Sequence, residues 1–249
     1  MAELILALDL DEGAAALALL ERLPETAWVK LGSVLFTSEG PTLVRTVKAR
    51  GHRVFLDLKW HDIPNTVRGA ARQARRLGVD MVTVHTLGGE AMMAAAKEEA
   101  GAGLAVVGVT VLTSHDRASF GEVLGRPIVV EDEVARLVTS ARRAGVDGVV
   151  SSPAEVTRAA GILGAGAILV TPGIRSAADP RDDQARVATV GEAVRAGSTH
   201  LVVGRPVLRA ADPGAAWRNL VGELAWPGYL SCCWGCWAVV AGSLRTWAT

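Results

Sequence analysis

The sequence predicts an α/β chain folded as a single-domain (β/α)8 TIM barrel, and three observations support this prediction. Short runs rich in Val, Ile and Leu alternate with longer segments rich in Ala, Arg and Glu, and the alternation produces eight strand candidates. The strands are almost continuously apolar, as expected of a parallel sheet covered on both faces. The length of 249 residues is typical of one such barrel.

The strand and helix candidates follow one another in strict order. Strands are predicted at 4–8, 27–31, 53–58, 79–84, 104–109, 147–150, 167–170 and 200–203. Helices are predicted at 13–23, 38–50, 64–77, 88–99, 130–144, 153–161, 184–196 and 206–224. The polar connections 113–127 and 172–183 exceed the usual βα loop, so each is either a lid or ligand-gripping loop or an idle surface excursion. An open doubly wound sheet is the structural alternative, but no GxGxxG motif follows the first strand.

Polar residues end most of the predicted strands. In chain order these residues are Asp9, Lys30, Asp57 with Lys59, His85, Thr110, Thr171, and Gly204 with Arg205. In a closed parallel barrel the strand exits converge on one mouth, where the catalytic residues of this architecture lie. One shared site therefore accounts for all of these residues.

The run from Phe55 to Thr66 is the most informative part of the chain. Side chains alternate between faces along an extended strand, so Asp57 and Lys59 point the same way while the neighbouring leucines point the other way. Asp62 follows from the next loop. Because burying charges is costly unless they are paired, the run predicts a reaction centre, and the alternative is a surface ion pair at a strand end.

Composition excludes several classes of partner and site. The 26 basic and 26 acidic residues cancel, so no global field attracts a nucleic acid polymer or an anionic membrane. The N-terminal segment lacks a basic region before its short apolar run and is predicted as a first strand, not a secretion signal. The part of the chain before residue 226 contains no cysteine, which excludes a disulfide framework there and favours a cytoplasmic location. The five histidines do not cluster at metal-ligand spacing, so no metal is expected.

Seven segments together resemble the orotidine 5′-phosphate decarboxylase family. They are Ala7–Asp9, Val29–Gly32, Asp57–Thr66, Leu112–Ser114, Thr171–Arg175, Asp183–Gln184 and Val202–Pro206. The resemblance runs from about Leu4 to Leu224, and each segment lies at a predicted strand exit or in the loop that follows. It implies decarboxylation of orotidine 5′-monophosphate to uridine 5′-monophosphate and CO2 without a cofactor, the last step of de novo pyrimidine biosynthesis.

The resemblance also implies roles for individual residues. The catalytic array would be Lys30, Asp57, Lys59 and Asp62, with Lys59 as the proton donor to ring carbon C6. A homodimer is implied, in which Asp62, Ile63 and Thr66 are contributed across the interface. The remaining substrate-binding positions would be Asp9 and Lys30 for the ribose hydroxyls, Thr113 or Ser114 for the pyrimidine edge, Pro172 for the base pocket, and Arg175, Gln184, Gly204 and Arg205 for the phosphate.

The phosphate corner is also predicted from its residues alone. Arg205 offers a planar fork of donors, and the Gly204 backbone N–H is open to close approach. The segment opens the last predicted helix, whose N-terminal dipole favours an anion. The alternative for Arg205 is a solvated arginine at a helix start.

The residues also allow other interpretations of the histidines and of the function. His61, His85 and His115 are possible general bases, but each is better explained as a residue that orients a loop, makes a structural hydrogen bond or faces solvent. A related barrel enzyme would decarboxylate 3-keto-gulonate 6-phosphate, or condense formaldehyde with a pentose phosphate, using magnesium. An inactive barrel that serves as a binding or assembly module is an alternative from another class.

The chain divides into a barrel over 1–225 and a Trp- and Cys-rich extension over 226–249. The extension holds all three cysteines and four of the seven tryptophans. Cys233 and Cys236 have redox-motif spacing, but no thioredoxin-like βαβ pattern surrounds them. Pro, Gly and Ser interrupt the apolar run too often for a membrane span. We expect the extension to have no role in activity. The alternatives are a hydrophobic surface patch and an extra oligomer contact.

Overall fold

A computed structural model of the chain describes residues 2–175 and 187–225. Its eight parallel strands pair in sequence order, and β1 pairs with β8 to close the sheet, which confirms the (β/α)8 TIM barrel. The strands are β1 Glu3–Ala7, β2 Trp28–Gly32, β3 Arg53–Trp60, β4 Met81–His85, β5 Ala105–Val109, β6 Gly148–Val150, β7 Ile168–Thr171 and β8 His200–Val203.

Helices connect the strands around the outside of the barrel. They are α1 Gly13–Glu21, α2 Ser33–Ala49, α3 Pro64–Arg76, α4 Glu90–Ala100, α5 Arg117–Leu124, α6 Val130–Arg143, α7 Val156–Leu163, α8 Val190–Ala196, α9 Arg205–Leu208 and α10 Pro213–Ala225. A short 3-10 turn, Thr86–Gly88, precedes α4. Within the described ranges, no helix has the length and apolar character needed to cross a bilayer.

The structure corrects two predictions about the connections. The segment 113–127 is not a continuous loop, because it contains α5. The side chain of Asp116 accepts the N–H of Ser119 at 2.8 Å, the Ser119 hydroxyl accepts the N–H of Asp116 at 3.0 Å, and Gly125 ends the helix in the left-handed region. The last predicted helix is divided into α9 and α10, because Asp212 accepts the N–H of Gly214 at 2.9 Å and starts a new helix.

Two apolar layers form the core. The outer layer lies between the strands and the helices, and the inner layer fills the barrel. The buried residues of the inner layer are Ile5, Ala7, Trp28, Phe55, Met81, Val107, Val170 and Val202. On β3, Phe55 faces this inner layer and Leu56 the outer one, so Asp57 is the next side chain to point inward. The barrel interior beneath the charged residues is thus packed with apolar side chains.

Candidate active site

The end of β3 departs from a regular strand. Its pairing with β4 shifts register between Leu56 and Trp60. Lys59 lies inside this bulge with φ 50°, the one positive φ of a non-glycine residue in the described part of the chain. A left-handed backbone costs about 1–2 kcal/mol for such a residue. Bulges re-aim side chains, and strain of this kind is concentrated at functional sites.

The bulge places Lys59 against Asp57. The ammonium Nζ of Lys59 lies 2.9 Å from each carboxylate oxygen of Asp57. The backbone N–H of Lys59 donates to Thr83 Oγ1 at 2.8 Å, and the same hydroxyl donates to Asp57 Oδ1 at 3.0 Å. Thr83 therefore holds both the backbone and the partner of Lys59.

Lys30 completes a row of alternating charges. Its Nζ lies 3.6 Å from Asp57 Oδ2 and 2.8 Å from Asp9 Oδ1. The order across the barrel mouth is therefore Asp9, Lys30, Asp57 and Lys59. The side chains of Lys30 and Asp57 are only 11% and 13% exposed, whereas that of Asp9 is 59% exposed. The inner two members of the row are thus shielded from solvent.

Mutual attraction keeps the inner pair ionised. Burial alone would raise the pKa of Asp57, but the charges of Lys30 and Lys59 outweigh it and lower that pKa. Burial alone would lower the pKa of Lys30, but Asp57 and then Asp9 reverse the effect and raise it. Both groups therefore carry their charge at neutral pH, in a site where water screens that charge weakly.

A cavity of about 180 Å³ opens above this pair. Lys30, Asp57 and Lys59 form its charged wall. The other lining residues are Phe55, Val109, Val111, Leu112, Thr113, Val150, Ser151, Ser152, Val170, Pro172 and Val202. Because most of that lining is apolar, a charge that develops in the cavity interacts mainly with the two lysines and the aspartate.

Two of the residues predicted for the base, Thr113 and Pro172, line this cavity, whereas the alternative Ser114 is not among the lining residues. Three further residues of the site were not predicted. Ser151 and Ser152 also line it, and they follow β6 directly, so the strand-exit rule could have found them. Thr83, which is fully buried in an apolar strand, carries no such indication in the sequence.

Three predicted residues lie outside the cavity of their own chain. Asp62, Ile63 and Thr66 are exposed at the start of α3, and none of them lines the cavity described above. Asp62 Oδ1 accepts the N–H of Ile63 at 2.6 Å, and Ile63 is 65% exposed. The single chain thus presents this group outward.

One of the predicted phosphate-binding residues, Arg205, lies with Asp9 at a second cavity. This open cavity of about 410 Å³ is lined by Asp9, Leu10, Arg205, Leu208 and Arg209. A Cβ built on Gly204 would lie 3.5 Å from Asp9 Oδ2, an ordinary van der Waals distance, so the β8 exit lies next to Asp9. Arg175 is buried at the exit of β7. Gln184 lies outside the described residues.

The structure changes the physical reason for an anion site at this corner. The helix that Arg205 opens, α9, is only four residues long, so its dipole is small. Positive charge at the corner must therefore come mainly from the arginine side chains.

Two histidines meet beside the exits of β3 and β4. The imidazoles of His61 and His85 stack with centroids 5.5 Å apart and planes 21° from parallel. Burial, and then the nearby His61, Lys59 and His115, lower the pKa of His85 to about 4. His115 instead packs on Phe120 and contacts Ser119 Oγ at 3.2 Å. In the part of the chain that the structure covers, no three His, Cys, Asp or Glu residues are grouped to hold a metal ion.

Comparisons with known proteins give the family of the chain. Residues 2–220 match the sequence profile of the orotidine 5′-phosphate decarboxylase / HUMPS family. The chain is 53% identical over 226 residues to an orotidine 5′-phosphate decarboxylase of Alkalilimnicola ehrlichii, an alignment that covers 89% of this chain and 96% of that protein. It is 48% identical over 231 residues to the enzyme of the same name from Moorella thermoacetica, covering 89% and 92%.

Solved structures show the same likeness. The crystal structure of orotidine 5′-phosphate decarboxylase from Lactobacillus acidophilus superposes with a TM-score of 0.81 at 34% identity, covering 91% of this chain and 100% of that one. An uncharacterized conserved protein from Geobacillus kaustophilus gives a TM-score of 0.76 at 36% identity, with coverage of 89% and 99%.

Proposed function

The chain belongs to the orotidine 5′-phosphate decarboxylase / HUMPS family and is a carboxy-lyase of pyrimidine biosynthesis, and we propose that the Lys30–Asp57–Lys59 array carries out its reaction without a cofactor. The substrate is orotidine 5′-monophosphate, and the products are uridine 5′-monophosphate and CO2. The observation that carries this proposal is the Asp57 carboxylate, held between two ammonium groups on the wall of a largely apolar cavity.

The chemical problem is the charge left on the ring. When the bond from C6 to the carboxylate breaks, its electron pair stays on C6, where no ring nitrogen or carbonyl stabilises it well by resonance. Lys59 is the group that stabilises this carbanion and then donates a proton from Nζ to C6. Its side chain is 39% exposed, which allows the resulting amine to regain a proton from solvent.

Repulsion between Asp57 and the substrate carboxylate is too small to explain catalysis alone. Two like charges at about 4 Å and an effective dielectric of about 20 repel by roughly 4 kcal/mol. Enzymes lower barriers by roughly 8–23 kcal/mol. Stabilisation of the carbanion, together with binding energy from the phosphate, must therefore supply most of the effect.

Two adjoining cavities suggest how the substrate lies. The pyrimidine ring occupies the inner cavity beside Thr113 and Pro172. Asp9 and Lys30 hold the ribose hydroxyls, since Lys30 lines the inner cavity and its ion-pair partner Asp9 lines the outer one. The phosphate then lies in the outer cavity, which Arg205 lines. The Gly204 N–H, Arg175 and Gln184, the last outside the described residues, are the further phosphate ligands in this proposal.

The array is completed by a second subunit in this proposal. The outward position of Asp62, Ile63 and Thr66 supports a homodimer in which these residues enter the partner's site. Mixing Lys59→Ala and Asp62→Ala subunits tests the idea. Random mixing should restore about a quarter of wild-type activity, because half of the dimers are mixed and each has one intact site of two. A mixture as inactive as its components would contradict a shared site.

One assay tests the activity itself. Purified protein with no added metal is given orotidine 5′-monophosphate, and the fall in its absorbance is followed, with Lys59→Ala as the matched control. Turnover that persists with a chelator supports the proposal. Turnover that vanishes with the chelator would favour a magnesium-dependent barrel relative, and no turnover at all would favour a binding module.

A further inference from the structure

The segment that joins β3 to α3 is held at both ends. Trp60 pairs with Val84 of β4, and Ile63 immediately precedes α3. Between them lie His61 and Asp62, which are both exposed in the single chain. Whatever fixes these two residues therefore determines where the Asp62 carboxylate points.

His61 rests against the turn that follows β4. Its imidazole stacks on that of His85, with centroids 5.5 Å apart. It also packs closely over Gly88, where a built Cβ would lie 3.2 Å from His61 Cδ2 and 2.3 Å from Met92 Sδ. The absence of a side chain at Gly88 thus lets the exit of β3 and the turn after β4 come together.

The ring of His85 is itself fixed. Its Nδ1 accepts the N–H of Leu87 at 3.3 Å, which sets the orientation of the imidazole. The low pKa described above leaves the ring neutral at physiological pH. A neutral ring is the form that both accepts a hydrogen bond at Nδ1 and stacks on His61 without charge repulsion.

We propose that His85 is a positioning residue that, by stacking on His61, holds residues 61–62 so that Asp62 is directed toward the active site of the partner subunit. This inference rests on the proposed shared site. It means that His85 of one subunit affects catalysis in the active site of the other subunit. Lys59 of the same chain is held separately, by Asp57 and Thr83. Loss of the stack should therefore harm the partner's site far more than the chain's own site.

Mixed dimers distinguish an effect of His85 on the partner's active site from an effect on the active site of its own chain. In a dimer of one Lys59→Ala and one Asp62→Ala subunit, the single intact site takes Asp62 from the first subunit and Lys59 from the second. His85→Ala is introduced into one subunit or the other, and the mixed dimers are purified with two different affinity tags. The kcat and KM for orotidine 5′-monophosphate are then compared with those of the parental mixed dimer.

The two placements have different expected outcomes. On the subunit that supplies Asp62, His85→Ala should lower kcat by roughly ten- to a hundredfold with little change in KM, because a misplacement of about 1 Å has an effect of this size. On the subunit that supplies Lys59, it should leave kcat close to the parental value. His85→Phe retains a flat ring for the stack but loses the Nδ1 acceptor of the Leu87 N–H, so it should restore part of the lost activity.

Several results would overturn the inference. A merely structural defect would lower activity equally in both placements, since the two dimers carry the same substitution once. The inference would be contradicted if kcat fell equally in both placements or in neither. It would also be contradicted if kcat fell only when the substitution is on the subunit that supplies Lys59, or if His85→Phe restored no activity. If the parental mixed dimer is itself inactive, the shared site is wrong and the inference fails with it.

Discussion

The ammonium of Lys59 lies 2.9 Å from both carboxylate oxygens of Asp57, although the backbone of Lys59 is left-handed. The two observations are connected through Thr83, whose hydroxyl accepts the Lys59 N–H and donates to Asp57. The strained backbone is thus held in place by the same hydroxyl that orients the carboxylate. The left-handed residue is thus one whose ammonium lines the cavity, in keeping with the concentration of backbone strain at functional sites.

Two substitutions of Lys59 distinguish the contribution of its ammonium to catalysis from the effect of its left-handed backbone on stability. Both Lys59→Ala and Lys59→Gly remove the ammonium, so both should lower kcat by about 10²–10⁴-fold or more. Only glycine adopts φ 50° without a steric cost. Lys59→Gly should therefore be more stable than Lys59→Ala by about 1 kcal/mol in urea unfolding. If Lys59→Ala were instead the more stable variant by about 0.4–1 kcal/mol, the entropy cost of glycine alone would explain the difference and the left-handed backbone would carry no strain.

Thr83 is expected to support both stability and turnover. Thr83→Val keeps the shape of the side chain but removes the acceptor of the Lys59 N–H, which should cost about 1–3 kcal/mol of unfolding free energy. It should also lower kcat on the order of tenfold, because Lys59 is no longer held in register. Thr83→Ser keeps the hydroxyl and is the matched control. Wild-type kcat in Thr83→Val would exclude this supporting role.

Much of the fold follows from local patterns, and the exceptions have local causes. All eight strands were predicted from apolar runs, but β3 reaches Trp60, beyond its predicted end at Leu58, because of its bulge. Helix α5 was missed, although Asp116 and Gly125 mark its two ends. These capping residues were outweighed by the length and polarity of the connection, which favoured a loop.

The site was predicted as a set of strand exits, but not its detailed geometry. Asp57 and Lys59 do lie together, as period-2 alternation predicts, but the bulge makes the contact between them. The alternation could not predict the left-handed Lys59, because that conformation depends on pairing with β4 and on the hydroxyl of Thr83. Such contacts join residues about two dozen positions apart, and no local pattern reports them.

The low pKa of His85 predicts a loss of stability in mild acid. Its pKa is about 4 in the folded chain against 6.5 for an unperturbed histidine. Between these values the unfolded chain binds a proton that the folded chain does not, so the free energy of unfolding falls as pH falls from about 6.5 to about 4. In His85→Phe this decline should be shallower, as measured by urea unfolding across the pH series. Parallel pH profiles for the two proteins would show that His85 titrates normally.

Stability at the opposite end of the barrel should be separable from activity. Asp147 lies just before β6 and accepts the N–H of Val106 at 2.8 Å and Lys97 Nζ at 2.6 Å. Asp80, before β4, likewise accepts the N–H of Val54 at 2.6 Å and contacts Lys48 Nζ at 2.7 Å. Each carboxylate ties a strand entry to its neighbour, on the barrel face that serves stability and not catalysis.

Removing this tie should therefore lower stability and leave kcat unchanged. Asp147→Ala leaves the buried N–H of Val106 without its acceptor and should cost about 1–3 kcal/mol of unfolding free energy. Asp147→Asn retains an acceptor oxygen but loses the charge that pairs with Lys97, so it should cost less. Urea unfolding gives the stabilities, and steady-state decarboxylation gives kcat below the unfolding transition. A large fall in kcat for either variant would mean that the two ends of the barrel are coupled.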